Sequence, residues 1–463
     1  MTALAVPWEG GRGPWNRGIF PTVQFPQTPS VVWKAFLGND LTSLAPTNTL
    51  IYGKEVVAGF GQVLIAFATD TGEGLWFSKL TDLKLVGDLI LLDDQIVVTY
   101  ESGLVEGRNP GDGKVLWATK LSSGLRNGPT YDESTLYYTT KAKTVEALER
   151  GTGKKLGVLP VGENIEAAPL SFGKTMLLCC TNGLARRVDQ VGRDTGTVRW
   201  TFQIPNAVVS LTPATDGRVV VINTPKTLVA LNPFDRTNPV RWMRPLTSQL
   251  HESATMDDDR LFIATYNNRV LAIDLATGGN LWKTSDTAAG GSSAKVTEGV
   301  PVPATPIGAP VVIGKQLLVR MDNGLIALLD KSSGKLNWVY RLKAPEGAPA
   351  PTRGYYAGEP AVDGDHVYFA GSDGVMYHLS ASSPDVDPPT FDNITPKITD
   401  KGFLDAKSLD AVSVNILDEG SGFPADQVFI KLDSYDLTAR KQFDAKTGLF
   451  TAKLGSDITL APG

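Results

Sequence analysis

The sequence predicts an all-β chain: an eight-bladed β-propeller closed by an N-terminal strand, followed by a second, smaller β module. Three observations predict it. The first is a recurring phrase, an apolar strand, a turn and a tryptophan, as in Leu271 to Trp282, LAIDLATGGNLW. Copies end at Trp76, Trp117, Trp200, Trp242 and Trp338; a degenerate copy puts Gly157 in the tryptophan position, and SVVW supplies Trp33. These eight positions step by 43, 41, 40, 43, 42, 40 and 56 residues, and a period of about 40 marks a repeat architecture. The second is composition: 47 Gly and 30 Pro in 463 residues suit an all-β chain with many turns. The third is that the last unit lacks a tryptophan phrase while the N-terminus has a spare one.

The turn has a physical basis. Thr71-Gly72, Thr152-Gly153, Thr195-Gly196 and Thr277-Gly278 place Gly where a tight turn needs a left-handed backbone. The preceding Asp or Thr can bond nearby backbone amides and fix the turn. The tryptophan follows four residues after the Gly. On an outer strand its ring would pack between neighbouring blades and bury a large apolar area. Trp33, Trp76, Trp117, Trp200, Trp242, Trp282 and Trp338 are therefore expected in that docking position.

In chain order, residues 1–30 are rich in Gly, Pro and Trp, with Trp8 and Trp15 expected to cover a core edge and Arg12 and Arg17 nearby. Blade 1 spans about 40–80, blade 2 about 84–121, blade 3 about 125–161 and blade 4 about 165–204. Blade 5 spans about 208–246, blade 6 about 250–285 and blade 7 about 305–343. In blade 4 the innermost strand reads IEAAPLSF, and the others TMLLCCT, LARRVDQV and TVRWTFQI. TNG at 181–183, YNNR at 266–269, MDNG at 321–324 and GSDG at 371–374 read as two-residue hairpins. Blade 8 begins near 355 and stops after its third strand, and SVVWKAF (30–36) is expected to complete it, leaving no open edge. The long step before Trp338 falls in 284–306, a Gly-, Ser- and Pro-rich stretch that reads as a loop joining an outer strand to the next inner one. The propeller is thus assigned residues 1–383, a linker 384–390 and the second module 391–463.

The phrase is similar to the tryptophan-docking repeat of the pyrroloquinoline quinone (PQQ)-like β-propellers, apolar-Ala-x-Asp-x-x-Thr-Gly-x-x-x-Trp, which Leu271, Ala272, Asp274, Thr277, Gly278 and Trp282 match. The resemblance covers about residues 8–384 and implies a fold rather than an activity. The family includes quinoprotein dehydrogenases and non-catalytic members of the bacterial envelope. Residues 391–463 alternate apolar and polar residues and resemble part of a bacterial immunoglobulin-like module, carried by Asp387-Pro388-Pro389, Asp418 to Gly422 and Leu460-Ala461-Pro462-Gly463.

Function is less legible. Net charge is −5, and residues 385–463 carry it with 13 acidic and 8 basic side chains, leaving 36 of each sign elsewhere. A neutral propeller gives no electrostatic footprint for nucleic acid. No run of 18 apolar residues is present, so no transmembrane segment is expected, and MTALAVPWEGG lacks the features of a signal peptide. Propeller ligands bind at the channel mouth, where the loops leading into the innermost strands carry Arg126, Asn127, Glu163, Asn164, Glu166, His251, Glu252, Arg353, Tyr355 and Tyr356. The dehydrogenase alternative needs PQQ, Ca²⁺ held by carboxylate and amide oxygens, and an Asp base. Glu163 and Asn164 suit Ca²⁺ but come from one loop, and Asp40 has nothing to mark it as a base. Adjacent Cys179 and Cys180 invite comparison with the vicinal disulfide of some quinoproteins. In TMLLCCTNG they lie on a strand, where successive side chains point to opposite faces, so two small buried residues are expected. Of the three His, His366 and His378 fall on blade 8 strands, and no metal site is visible; Asp385, Asp387, Asp418 and Glu419 read as solvated turns. The expectation is a monomeric, extracytoplasmic (periplasmic or cell-surface) binding or scaffolding propeller with a protein or glycan partner, no catalytic residues and no cofactor.

Overall fold

In the computed structural model, the described residues are 19–20, 29–38, 46–82, 84–92, 94–165, 167–172, 175–182, 185–192, 197–203, 214–215, 219–224, 226–235, 237–250, 254–286, 295–342, 357–380, 390–395, 409–417, 428–432, 435–444, 449–455 and 458. The expectations for Trp8, Arg12, Trp15, Arg17, Asp40, Asp385, Asp387, Asp418 and Glu419 lie outside them. The chain is all-β, built of small antiparallel sheets of mostly four strands, with one short 3-10 turn among the described residues, at Thr438–Arg440.

Between residues 19 and 380 the described residues form eight such sheets. Sheet 1 runs Pro46–Tyr52, Glu55–Phe60, Val63–Ala68 and Gly74–Lys79; sheet 2 Ile90–Leu92, Gln95–Thr99, Leu104–Arg108 and Val115–Lys120. Sheet 3 runs Thr130–Tyr131, Thr135–Thr139, Thr144–Glu149 and Lys155–Pro160. In sheet 4 the expected first strand is divided into Asn164–Ile165 and Leu170–Phe172, both on Thr175–Asn182, followed by Ala185–Gly192 and Val198–Gln203. Pro169, which lacks an N–H for the ladder, sits just before the second piece. Sheet 5 runs Ala214–Thr215, Val220–Thr224, Thr227–Leu231 and Val240–Pro245. Sheet 6 runs Thr255–Asp257, Arg260–Thr265, Arg269–Asp274 and Val300–Pro301. Sheet 7 runs Val311–Ile313, Gln316–Arg320, Leu325–Asp330 and Leu336–Arg341, with Ile19–Phe20 added in parallel to its first strand.

Sheet 8 takes its strands from both ends of this region. Ala361–Asp363, His366–Ala370 and Val375–Ser380 are completed by Ser30–Phe36, which pairs antiparallel with Val375–Ser380 from Ser30↔Ser380 to Phe36↔Val375. The expected closing strand is therefore present.

Alternation along the strands gives each sheet two apolar faces, and consecutive sheets share a core. Val57, Leu64 and Ala66 of sheet 1 meet Ile96 and Val98 of sheet 2; Leu228 and Ala230 of sheet 5 meet Leu261 and Ile263 of sheet 6. The succession returns to its start: Val56, Ala58 and Phe67 of sheet 1 pack with Tyr368, Ala370 and Met376 of sheet 8, with Trp33 and Ala35 against them.

Two expectations need correction. Residues 284–306 are not a plain connection between outer and inner strands. Lys283–Asp286 pairs with Lys295–Glu298 as a hairpin, and the chain then rejoins sheet 6, Val300 opposite Val270. The insertion thus splits the outer strand, which holds because the Ile273↔Asn280 bridge precedes it and Val300 resumes the ladder. The turns at 266–269, 321–324 and 371–374 are also not two-residue loops, whereas Asn182 pairs with Ala185 as a two-residue hairpin requires. Met321 N–H donates to Leu325 O and Gly324 N–H to Met321 O, a three-residue loop closed by Gly324 at φ +77°. Asn268 at φ +58° and Gly374 at φ +74° close the equivalent turns. Three-residue hairpins carry their left-handed residue last, and these sequences place Asn or Gly there.

Beyond residue 389, Thr390–Thr395, Ala411–Leu417, Leu449–Lys453 and Lys441–Asp444 form an antiparallel sheet, in that order, over a small core of Val412, Ile430, Leu437, Phe450 and Ala452.

Candidate functional site

The repeat phrase makes the contact between sheets. In the turn before Trp282, Asp274 Oδ1 accepts from the Thr277 N–H and hydroxyl at 2.7 and 2.8 Å, and Gly278 N–H donates back to Asp274 O. Gly278 sits at φ +73°, and a Cβ there would lie 2.9 Å from the Trp242 ring of the preceding sheet. The same relation places Trp33 on Gly72, Trp76 on Gly113, Trp117 on Gly153 and Trp282 on Gly334. The indole N–H of Trp33 donates to Thr69 O, that of Trp242 to Leu275 O and that of Trp282 to Ser332 O, each in the next sheet. Trp338 is fully buried. The side chain of Trp200 lies outside the described residues.

Four of the ten candidate ligand residues, Arg126, Asn127, Glu163 and Asn164, are among the described residues, where the chain leads into sheets 3 and 4. Each described loop leading into a first strand bridges the second-to-third turn of the same sheet: Leu85↔Tyr100, Leu125↔Thr140, Leu250↔Thr265, Pro306↔Met321 and Ala357↔Gly371. Arg126 is exposed and Asn127 half-buried just after the second of these, while Glu163 is half-buried and Asn164 exposed, pairing with Thr181. Adjoining loops of sheets 2 and 3 touch at Gly87 and Gly128, where a Cβ on Gly87 would meet Gly128 Cα at 2.5 Å. Glu166, His251, Glu252, Arg353, Tyr355 and Tyr356 lie outside the described residues.

The opposite feature, invisible to periodicity, is a row on the outer strands. Among the described residues, seven of the eight, all but that of sheet 6, have a β-bulge at the tryptophan position, between Val31 and Trp33, for example, or Val115 and Trp117. A bulge re-aims one side chain. In sheets 8, 1, 2 and 3 that residue is Val32, Leu75, Leu116 and Leu156, all exposed, with Phe77 and Val158 two residues further on. Phe77 is 74% exposed. In sheets 4, 5 and 7 the corresponding residue is Arg199, Arg241 or Asn337.

Sheet 8 holds a second unexpected cluster. His366 Nδ1 lies 2.8 Å from His378 Nε2. His378 is 2% exposed, stacked on Tyr368 at 4.3 Å and met edge-on by Trp33 at 5.3 Å. Burial, then the neighbouring His366, pushes its pKa down to about 3. Fully buried Asp373 accepts from Tyr377 Oη, and burial pushes its carboxyl up to about 6. Among the described residues, no three or more His, Cys, Asp or Glu are placed to hold a metal ion.

Among the described residues, the adjacent cysteines do not fit the disulfide of a quinone site. Cys179 enters the core between sheets 4 and 5 and Cys180 the core between sheets 3 and 4, so their side chains diverge, contrary to a vicinal disulfide. Ile19–Phe20 lies alongside the first strand of sheet 7.

A protein-family model described as outer membrane protein assembly factor BamB matches residues 59–171 and 184–385. Relatives of that description include the protein of Shewanella oneidensis, 24% identical over 378 residues that cover 75% of this chain and 88% of the relative. That of Yersinia pestis is 23% identical, covering 58% and 73%, and that of Escherichia coli 25%, covering 58% and 73%. The crystal structure of BamB from Moraxella catarrhalis superposes with a TM-score of 0.56 at 16% identity, covering 76% of this chain and 99% of that one. The computationally designed Ika8 protein gives 0.55 at 13%, covering 79% and 99%. The two structures share the fold.

Proposed function

The chain belongs to the family described as outer membrane protein assembly factor BamB, and from that premise we propose that it is a non-enzymatic scaffold of the cell envelope, a propeller that holds another protein. The observation that carries this reading is the row of exposed apolar residues that the bulges turn outward on four neighbouring outer strands, Val32, Leu75, Leu116 and Leu156, with Phe77 and Val158 beside them. Clustered apolar side chains at a surface favour a protein partner. On sheets 8, 1 and 2 they are also released from core duty, because the tryptophan one position on takes the inter-sheet contact; on sheet 3 Gly157 stands there. In this reading the eight sheets are the blades of one ring, supported by the succession of shared cores that returns from sheet 8 to sheet 1. The sheet of residues 390–453 is an immunoglobulin-like spacer, supported by its antiparallel order and its turn-rich sequence. The names of the relatives support an extracytoplasmic site and a partner in outer-membrane protein assembly. No helix among the described residues is long and apolar enough to cross a membrane.

The test is site-specific photocrosslinking in the native envelope. A photoreactive side chain at position 77 should trap an outer-membrane assembly protein, identified by mass spectrometry, and one at Phe234, exposed on sheet 5, should not. Leu75→Ser, Leu116→Ser and Leu156→Ser together should abolish the product, each changing stability by no more than about 0.5 kcal/mol as surface substitutions do. Equal yield from both positions would refute the assigned surface.

A further inference from the structure

We propose that the seam between Ser30–Phe36 and Val375–Ser380 is an acid-released latch, in which His366 and His378 share one proton and a second proton parts the N-terminal strand from sheet 8.

The seam is where the two ends of the eight-sheet region meet, and His378 lies directly across it, in register with Trp33. Its Nε2 is 2.8 Å from His366 Nδ1, a distance that requires one hydrogen between two ring nitrogens. Its Nδ1 is buried without a hydrogen-bond partner. A second proton would therefore put a charge against Trp33 and Tyr368 rather than in water, beside an imidazole of the same kind. The groups around it are few. On sheet 8, His366 and Tyr368 face it from the second strand, Asp363 ends the first, and Ser380 Oγ donates to Asp365 at 3.3 Å. Asp365 Oδ1 is 3.4 Å from His366 Nε2, so that carboxylate sits against the outer imidazole and acts on His378 only through space, more weakly than burial and His366 oppose its charge. From sheet 1, Asp70 acts on Tyr368, and Thr69 O accepts from Trp33. On the N-terminal strand, Lys34 alternates to the other row, where it acts on Asp373. Only the N-terminal strand can leave without breaking the His366–Ala370 ladder, and its departure admits water to His378.

Water returns the imidazole to its ordinary value near 6.5, so opening takes up one proton below that pH. The opening equilibrium at the seam should then rise about thirtyfold from pH 7.5 to pH 5, a one-proton slope. Hydrogen exchange of the whole chain reads it directly, after correction for intrinsic rates. Amides of 31–36 should open about thirtyfold more at pH 5, while those of Arg260–Thr265, on sheet 6 and away from the seam, keep their protection. An unchanged ratio between the two segments would overturn the latch. In His378→Phe, which keeps a ring against Tyr368, the acid response should vanish. His378→Gln, which offers His366 an amide in place of the ring nitrogen, should behave alike and serves if the first variant does not fold. A thirtyfold response surviving in either would equally overturn it.

Discussion

Asp373 and His378, five residues apart on sheet 8, pull stability in opposite directions as pH changes. Asp373 is raised from 3.8 to about 6 by burial, so the folded state binds the extra proton and loses stability as pH rises from about 4 to 6. His378 is lowered from 6.5 to about 3, so the folded state refuses a proton and loses stability as pH falls from about 6.5 to 3. Urea midpoints should therefore favour Asp373→Asn over the parent more at pH 7 than at pH 4; a constant difference would mean that the carboxyl is hydrated. Packing is tested by Trp282, which is 4% exposed against Gly334 and Phe262. Trp282→Ala should cost about 3–5 kcal/mol, and a loss below about 1 kcal/mol would place the ring in water. Gly278→Ala should cost roughly 2–4 kcal/mol, from its positive φ and the Trp242 ring 2.9 Å from where its Cβ would lie. The residue pattern Thr-Gly-x-x-x-Trp made both partners of this contact legible. The imidazole pair was not, because His366 and His378 are twelve residues apart and meet only through strand pairing.

At the scale of elements, the sheet 3 outer strand is the informative exception. Gly157 occupies the tryptophan position, and Lys155, Leu156, Gly157, Val158 and Pro160 are all exposed, although the strand still pairs with Thr144–Glu149. Hydrogen exchange should show Lys155–Pro160 opening faster than Gly74–Lys79, whose Trp76 packs on Gly113; equal protection would mean that the tryptophan adds nothing to strand order. Strand existence was readable from apolar alternation and turn residues. Bulges were not, since an extra residue shows only in pairing, although an apolar residue just before the tryptophan in Val32, Leu75 and Leu116 was a visible sign. The insertion after Trp282 was misplaced for a related reason. Its Gly- and Ser-rich centre suggested a loop, while the lysine-threonine and lysine-valine flanks that pair as a hairpin carry little periodicity.

At the scale of the molecule, the account rests on closure: the chain leaves its last sheet one strand short and supplies that strand from its beginning. This was legible from counting, because seven tryptophan phrases, one degenerate, lie downstream of Trp33 and sheet 8 has none. The loops leading into the first strands were less legible, since they have no period of their own. Closure makes distant segments depend on one another: removing Ser30–Phe36 exposes the edge of Val375–Ser380 and the apolar face of sheet 1 together. The most direct measurement is hydrogen exchange in a chain lacking residues 1–37, compared with one lacking 385–463. The first should lose protection in Val375–Ser380 and in Glu55–Phe60 alike, while the second keeps both. If the first deletion leaves those two segments as protected as in the whole chain, the strand is an ornament to sheet 8 and the closed ring is wrong.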